Sequence, residues 1–171
     1  MRRWSQLRWP RALAPRVVVA CATLGPLGRR LPAPGTWGSL AGLLYFALFF
    51  YRAPVGAVII ASALGAFLAV GLCGEAETKL GRSDPGEVVL DEFVAMPLCF
   101  LGWWEVARVW SPAVALLAGF ALFRFYDILK PLGIRRLQAL PGGFGVVADD
   151  VAAALAACAT LHLAAWLWKF L

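Results

Sequence analysis

Three stretches of this chain, residues 31–51, 53–74 and 151–168, contain no Asp, Glu, Lys or Arg at all. A bilayer core of roughly 30 Å is crossed by about 20 apolar residues in a helix. Within lipid, only a helix or a closed barrel satisfies its own backbone. Long uninterrupted apolar runs, rather than alternating short ones, select the helix. The 61% apolar content and eight Trp, with a mean hydropathy of +0.75, lie outside the range of ordinary soluble domains. Residues 93–104 and 109–123 are also uncharged but shorter, and suit a tilted, buried or re-entrant segment. The chain therefore reads as an all-α, multi-pass membrane bundle of about four to five hydrophobic helices with cytoplasmic-side loops. Its 171 residues divide into a basic N-terminal arm, 1–24, and a single membrane-embedded domain, 25–171.

The arm carries five arginines up to Arg16 and no acid. Cys21 ends a Val-Val-Ala-Cys run that matches a lipoprotein cleavage box on paper. Only four apolar residues separate it from Arg16, however, and a signal peptide needs roughly 7–15. The arm is expected instead to lie on anionic lipid, where each cation is worth about 1 kcal/mol. If all five apolar segments cross from a cytoplasmic N-terminus, 13 cations fall inside and only Arg52, Arg108 and Lys169 outside, a strong positive-inside bias. All four cysteines, Cys21, Cys73, Cys99 and Cys158, sit in apolar sequence without Cys-x-x-Cys spacing and read as small buried hydrophobes. A single histidine, His162, cannot build a zinc site.

All ten carboxylates lie between Glu75 and Asp150. Five of them, Asp91, Glu92, Asp127, Asp149 and Asp150, abut apolar segments, and the same topology gathers these five at the cytoplasmic face. Acids at a membrane edge are costly and mark function. Four local patterns carry the chemistry. Pro34-Gly35-Thr36-Trp37-Gly38-Ser39 precedes an apolar helix expected from Leu40. There, free N–H groups with Thr36 and Ser39 suit a phosphate, although either hydroxyl would also serve as a plain helix cap. Asp84-Pro85-Gly86 leads to the pair Asp91-Glu92 at a helix start, a position that dipole complementation also favours. At 100° per residue, Arg124, Asp127 and Lys130 share about 120° of one helix face, ahead of Pro131. Two cations beside an acid suit a phosphate oxyanion next to a metal ligand. Finally, Pro141-Gly142-Gly143 runs toward Asp149-Asp150, where one acid would cap and the second invites a cation. Hard oxygen donors on several elements point to Mg²⁺.

These blocks, PGTWGSLAG, DPGEVVLDEFV, FRFYDILKP and PGGFGVVADDVAA, are similar in order and content to the phosphatidylglycerophosphatase A family of bacterial membrane lipid phosphatases. The resemblance runs from about Gly25 to the C-terminus. It implies hydrolysis of phosphatidylglycerophosphate to phosphatidylglycerol and inorganic phosphate, with Mg²⁺, in phospholipid biosynthesis at the bacterial inner membrane, the site facing the cytoplasm. Carried over by position, it makes Asp91, Glu92, Asp127, Asp149 and Asp150 catalytic carboxylates, with Asp91, Glu92, Asp149 and Asp150 on the metal. Thr36, Ser39, Arg124 and Lys130 would bind the substrate. The chain departs from the family's usual residues at Ala95, Tyr126, Gly133 and Ala154, positions that bear on packing and turn shape.

Other phosphatase chemistries are excluded by reading. No cysteine opens a Cys-x₅-Arg loop, no Asp-x-Asp pair occurs, and histidine-based lipid phosphatases need more than one His. The expected partners are the lipid substrate and membrane lipids, with no nucleic acid. The rival class is a small cation- or proton-coupled transporter, for which acids near the bilayer midplane and inverted repeats are the signature; no internal repeat is present.

Overall fold

Prolines and glycines decide where the helices begin and end. In the computed structural model, which describes residues 7–170, a proline opens α1 (Pro15–Ala22), α2 (Pro26–Arg30) and α3 (Pro34–Tyr45). Its fixed φ suits the first turn, where the missing N–H is not needed. A π turn, Phe46–Phe50, extends α3. α4 (Val55–Leu80) ends at Gly81, whose φ of 67° closes the helix in the left-handed region at no steric cost. The short α5 (Leu90–Ala95) continues as a 3₁₀ segment, Met96–Phe100. After α6 (Trp103–Ala107) come α7 (Pro112–Leu129), capped by the Ser111 hydroxyl, and α8 (Gly143–Trp168). No strand occurs among the described residues.

The chain makes five alternating legs. Four of the five legs present a charged side chain at one common end, and at the other end Tyr51 meets Trp103 and Trp104, while Trp110 meets Trp168. α4, α7 and α8 are long and apolar enough to cross a membrane, and Pro34–Phe50 is a shorter apolar helix. This differs from the sequence expectation at the first leg. Residues 31–51 yield a shorter helix because Ala33, at φ 51°, breaks the chain ahead of Pro34. The apolar run 109–123 joins the Arg124–Asp127 helix face foreseen ahead of Pro131 in one helix, α7, where Arg124 and Asp127 pair at 2.6 Å. The third leg, residues 90–100, is the buried alternative among those foreseen for 93–104: Val94, Ala95, Met96, Pro97, Cys99 and Phe100 are all buried. Its helical turns cover only roughly 19 Å.

Small residues set the helix spacing where the legs converge. A Cβ at Gly38 would come within 2.7 Å of Val89 Cβ, and one at Gly42 equally close to Met96 Cβ. α3 therefore lies directly on the third leg. A Cβ at Gly74 would meet the Gly143 backbone at 2.7 Å, so α4 and α8 touch main chain to main chain. Close approach through glycine is the usual device for packing helices in lipid, where dispersion and hydrogen bonds must hold them.

The arm is docked on α4 from Leu7 onward. Trp9 stacks on Phe67 at 6.5 Å and covers Gly71, and Arg11 pairs with Glu75 at 3.7 Å. Arg2 and Arg3 lie outside the described residues. α1 also helps place the third leg, since Val89 N–H donates to the Ala22 carbonyl at 2.9 Å.

Two departures from the family's usual residues have local explanations. The Tyr126 hydroxyl shares a 2.8 Å hydrogen bond with Thr160 Oγ1, tying α7 to α8. Gly133 has φ 82°, which a proline cannot adopt.

Candidate active site

The acidic pair at the start of the third leg enters the bundle in the first turn of α5. Val89 precedes it without a side-chain cap, so the free N–H groups there still favour negative charge. Asp149 and Asp150 arrive differently. α8 begins at Gly143, so both acids lie in its second turn and neither caps it. α3 likewise begins at Pro34 rather than at Leu40, with Ala33 in the capping position. The capping explanation for Thr36 and Ser39 therefore falls away: the Ser39 hydroxyl donates back to the Gly35 carbonyl at 2.7 Å.

Neighbouring residues on a helix point about 100° apart, and this splits the α8 pair. Asp150 faces α5, where Asp91, Glu92 and Asp150 each offer an oxygen within 4.8 Å of the others. Asp91 and Asp150 are 4% and 3% exposed. Asp91 Oδ1 and Glu92 Oε2 are buried without a hydrogen-bond partner among the described residues. Arg124 Nη1 stands at the edge of this group, 4.0 Å from Glu92 Oε1. Burial, reinforced by Glu92 beside it, pushes the Asp91 carboxyl well above the usual carboxylate range. Burial also raises Glu92 from 4.5 to about 7; the Asp91 hydrogen bond and Arg124 pull against this, and Asp127 adds to it. Such desolvated, mutually repelling carboxylates are short of positive charge.

Asp149 faces the other way and forms an ion-paired hydrogen bond with Lys130 through Oδ2, while its Oδ1 is buried without a partner. Lys130 Nζ also lies 3.6 Å from Asp127 Oδ1. Arg124 Nη1 donates to Asp127 Oδ2 at 2.6 Å and to Ser39 Oγ at 3.2 Å. A continuous polar chain thus runs from Gly35 and Ser39 through Arg124, Asp127 and Lys130 to Asp149, joining α3, α7 and α8. Asp127 sits at a helix C-terminus, the wrong end for an acid, and its two cations compensate. Lys130 adopts φ 47° because Pro131 expels it from helical geometry. That left-handed backbone costs about 1–2 kcal/mol and coincides with the side chain's turn toward α8.

The fold therefore brings eight of the nine sequence-predicted site residues into two adjoining groups. The ninth, Thr36, is half-buried in the first turn of α3 and takes no part in this hydrogen-bonded chain among the described residues. Gly35, which the sequence reading passed over, is part of the site's shape. A Cβ there would press on Glu92 Oε1 and come within 3.2 Å of Arg124 Nη1. Its place in the same block as Ser39 was the available signal.

Comparison with known proteins fits this geometry. The profile of the family described as Phosphatidylglycerophosphatase A matches residues 20–165. The chain is 41% identical over 125 residues to a Haemophilus influenzae protein named phosphatidylglycerophosphatase A, covering 72% of this chain and 74% of that one. It is 34% identical over 149 residues to a Bacteroides thetaiotaomicron protein provisionally named phosphatidylinositol-3-phosphatase, covering 78% and 84%. With the Escherichia coli phosphatidylglycerophosphatase A it is 30% identical over 141 residues, covering 79% and 76%. No solved structure matches the chain.

Proposed function

The chain belongs to the phosphatidylglycerophosphatase A family and is a phosphatase, and from that premise we propose that it hydrolyses phosphatidylglycerophosphate to phosphatidylglycerol and inorganic phosphate, with Mg²⁺, as a step of phospholipid biosynthesis. The observation that carries the metal is the trio Asp91, Glu92 and Asp150, each offering an oxygen within 4.8 Å of the others, while Asp91 Oδ1 and Glu92 Oε2 have no hydrogen-bond partner among the described residues. Hard carboxylate oxygens on two separate elements fit Mg²⁺, which keeps waters and reaches substrate phosphate. Bound there, the ion would supply charge neutralisation at the phosphate and a more acidic water.

The chain's own residues account for the rest. Arg124 and Lys130 stand on the same face of α7's end, and both donate to oxygens now supplied by Asp127 and Asp149. A phosphate entering beside them would receive preorganised donors for its developing charge. Ser39 holds Arg124 from the α3 side, and Gly35 leaves the space between them. Asp149, fixed through Oδ2 by Lys130, has Oδ1 available to accept the proton of an attacking water. As the water oxygen bonds to phosphorus, the ester bond to the glycerol oxygen breaks and that oxygen takes up a proton.

The acids gather at one end of the bundle, which favours hydrolysis over transport. The same end carries exposed Arg29, Arg30, Arg135 and Arg136, and the positive-inside bias turns it toward the cytoplasm of a bacterial inner membrane. The deciding assay follows phosphate release from phosphatidylglycerophosphate by purified protein, with Mg²⁺ or EDTA, beside Asp91→Asn, Asp149→Asn and Asp150→Asn. Mg²⁺-dependent release that the three variants lose supports the reading. Release from phosphatidylinositol-3-phosphate alone would transfer the same chemistry to another headgroup, and release unaffected by EDTA would remove the metal.

A further inference from the structure

An apolar groove of about 380 Å³ runs away from the acid trio between α4, α3 and the third leg. Leu72 of α4 and Leu90 line it at the charged end; Leu68, Phe93, Val94 and Pro97 continue it; Ala61 and Ser62 line it further down α4. Leu90 and Phe93 flank Asp91 and Glu92 directly in sequence, so the groove's upper wall and the acid site are two faces of one helix. Gly65 keeps the floor open, since even a Cβ there would come within 3.2 Å of Val94. Cys21, expected from the sequence to be a buried hydrophobe, is instead exposed on the rim, at the end of the short α1.

We infer that this groove seats one acyl chain of the lipid whose phosphate is hydrolysed, an inference that rests on the phosphatase reading above. Length is the first argument. Ser62 and Leu72 are ten residues apart on α4, about 15 Å at 1.5 Å per residue, which is the depth of one leaflet's hydrocarbon, half of roughly 30 Å. Proximity is the second: Leu90 and Phe93 of the groove flank Asp91 and Glu92 on the same short helix. Lining is the third, because nearly every contacting group is apolar. Lipid tails are as apolar as the groove, so seating a chain yields no hydrophobic gain. The groove's contribution is alignment: it holds the glycerol phosphate against Arg124 and Lys130, where a misplacement of 1 Å costs about a hundredfold in rate.

Ser62→Leu tests this by filling the groove at a buried hydroxyl that has no hydrogen-bond partner among the described residues, with a packing cost expected for the larger side chain. Ala61→Phe is the second variant, and thermal melts check both. A phosphatidylglycerol analogue with a mid-chain diazirine, reconstituted with wild-type protein, is expected to label Leu68, Phe93 and Val94, and both variants to lose that labelling. Labelling spread over outward residues such as Leu117 and Phe125 overturns the groove. In turnover, the variants are expected to lower the ratio of kcat/KM for dipalmitoyl over dihexanoyl phosphatidylglycerophosphate by about ten- to a hundredfold, since six-carbon tails end above Ser62. An unchanged ratio overturns it. Groove labelling in a protein that hydrolyses neither substrate would keep the groove and sink the phosphatase reading, so the two fail separately.

Discussion

The two halves of the site solve the problem of buried charge in opposite ways. On the α7 side, Arg124 and Lys130 meet Asp127 and Asp149, two cations against two acids, each pair within ion-pairing distance. On the α5 side, Asp91, Glu92 and Asp150 crowd together with only the edge of Arg124 nearby, at 4.0 Å. The first half is electrically complete and holds three helices in register. The second is incomplete, and its deficit of positive charge is what a bound cation would supply. A paired charge network specifies structure, whereas an unpaired one specifies a ligand.

Asp150→Asn should sharpen this contrast most. Phosphate release is expected to fall by at least about 10²–10³-fold, the scale of losing one preorganised electrostatic group. The metal-free protein should nevertheless melt higher than wild type, because one of three mutually repelling carboxylates is gone. A lower melting temperature in EDTA would mean that the trio stabilises itself and needs no cation.

Arg124→Ala should move stability the other way. It leaves Asp127 and Ser39 facing each other without their common donor and is expected to cost about 3–5 kcal/mol, the usual penalty for breaking one side of a buried ion pair. Arg124→Ala with Asp127→Ala should recover part of that loss in a double-mutant cycle of detergent melts. Strict additivity would show that the balanced half is not a network.

Metal addition probes the incomplete half directly. At Mg²⁺ a hundredfold above its dissociation constant, linkage gives about 2.7 kcal/mol of stabilisation, expected in wild type and absent in Asp150→Asn. The pH dependence in EDTA follows from Glu92, raised from 4.5 to about 7 by burial first. Between those values the folded protein binds more protons than the unfolded chain, so stability falls as pH rises through that window. Saturating Mg²⁺ should flatten the slope, and Glu92→Gln should reduce it. A melting temperature that climbs from pH 4.5 to 7 in EDTA would contradict the crowded-acid description.

Much of this was legible in the sequence because the polar residues are few and cluster beside apolar runs. What escaped was geometry that one-dimensional charge counting cannot see. The end of α7 was legible, since Arg124, Asp127 and Lys130 were read on one helix face ahead of Pro131, but not that this face and the apolar run before it form one membrane-length helix. The starts of α3 and α8 were displaced by six or more residues because Gly35, Gly142 and Gly143 resemble loop glycines. At 35 and 143 the missing Cβ serves helix contact instead. The division of labour between Asp149 and Asp150 follows from the 100° helical step, but only the positions of α5 and Lys130 reveal which acid faces which. The acyl groove left no motif, since its lining residues come from four separate segments of the chain.

The far end of the bundle supplies the smallest expected effect and the control for all the others. There Glu105 and Arg108 form a 2.8 Å ion pair on α6 and its end, with side chains 58% and 72% exposed. Exposed pairs of this kind contribute about 0–1 kcal/mol, since water screens them and long side chains lose freedom in pairing. Glu105→Gln is therefore expected to shift the melting temperature barely and to leave phosphate release and its Mg²⁺ dependence as in wild type. The same chemical change, acid to amide, made at position 150 should abolish both. If Glu105→Gln were as damaging as Asp150→Asn, the asymmetry between the two ends would be lost, and the acids at positions 91, 92 and 150 could no longer be distinguished by their burial and crowding.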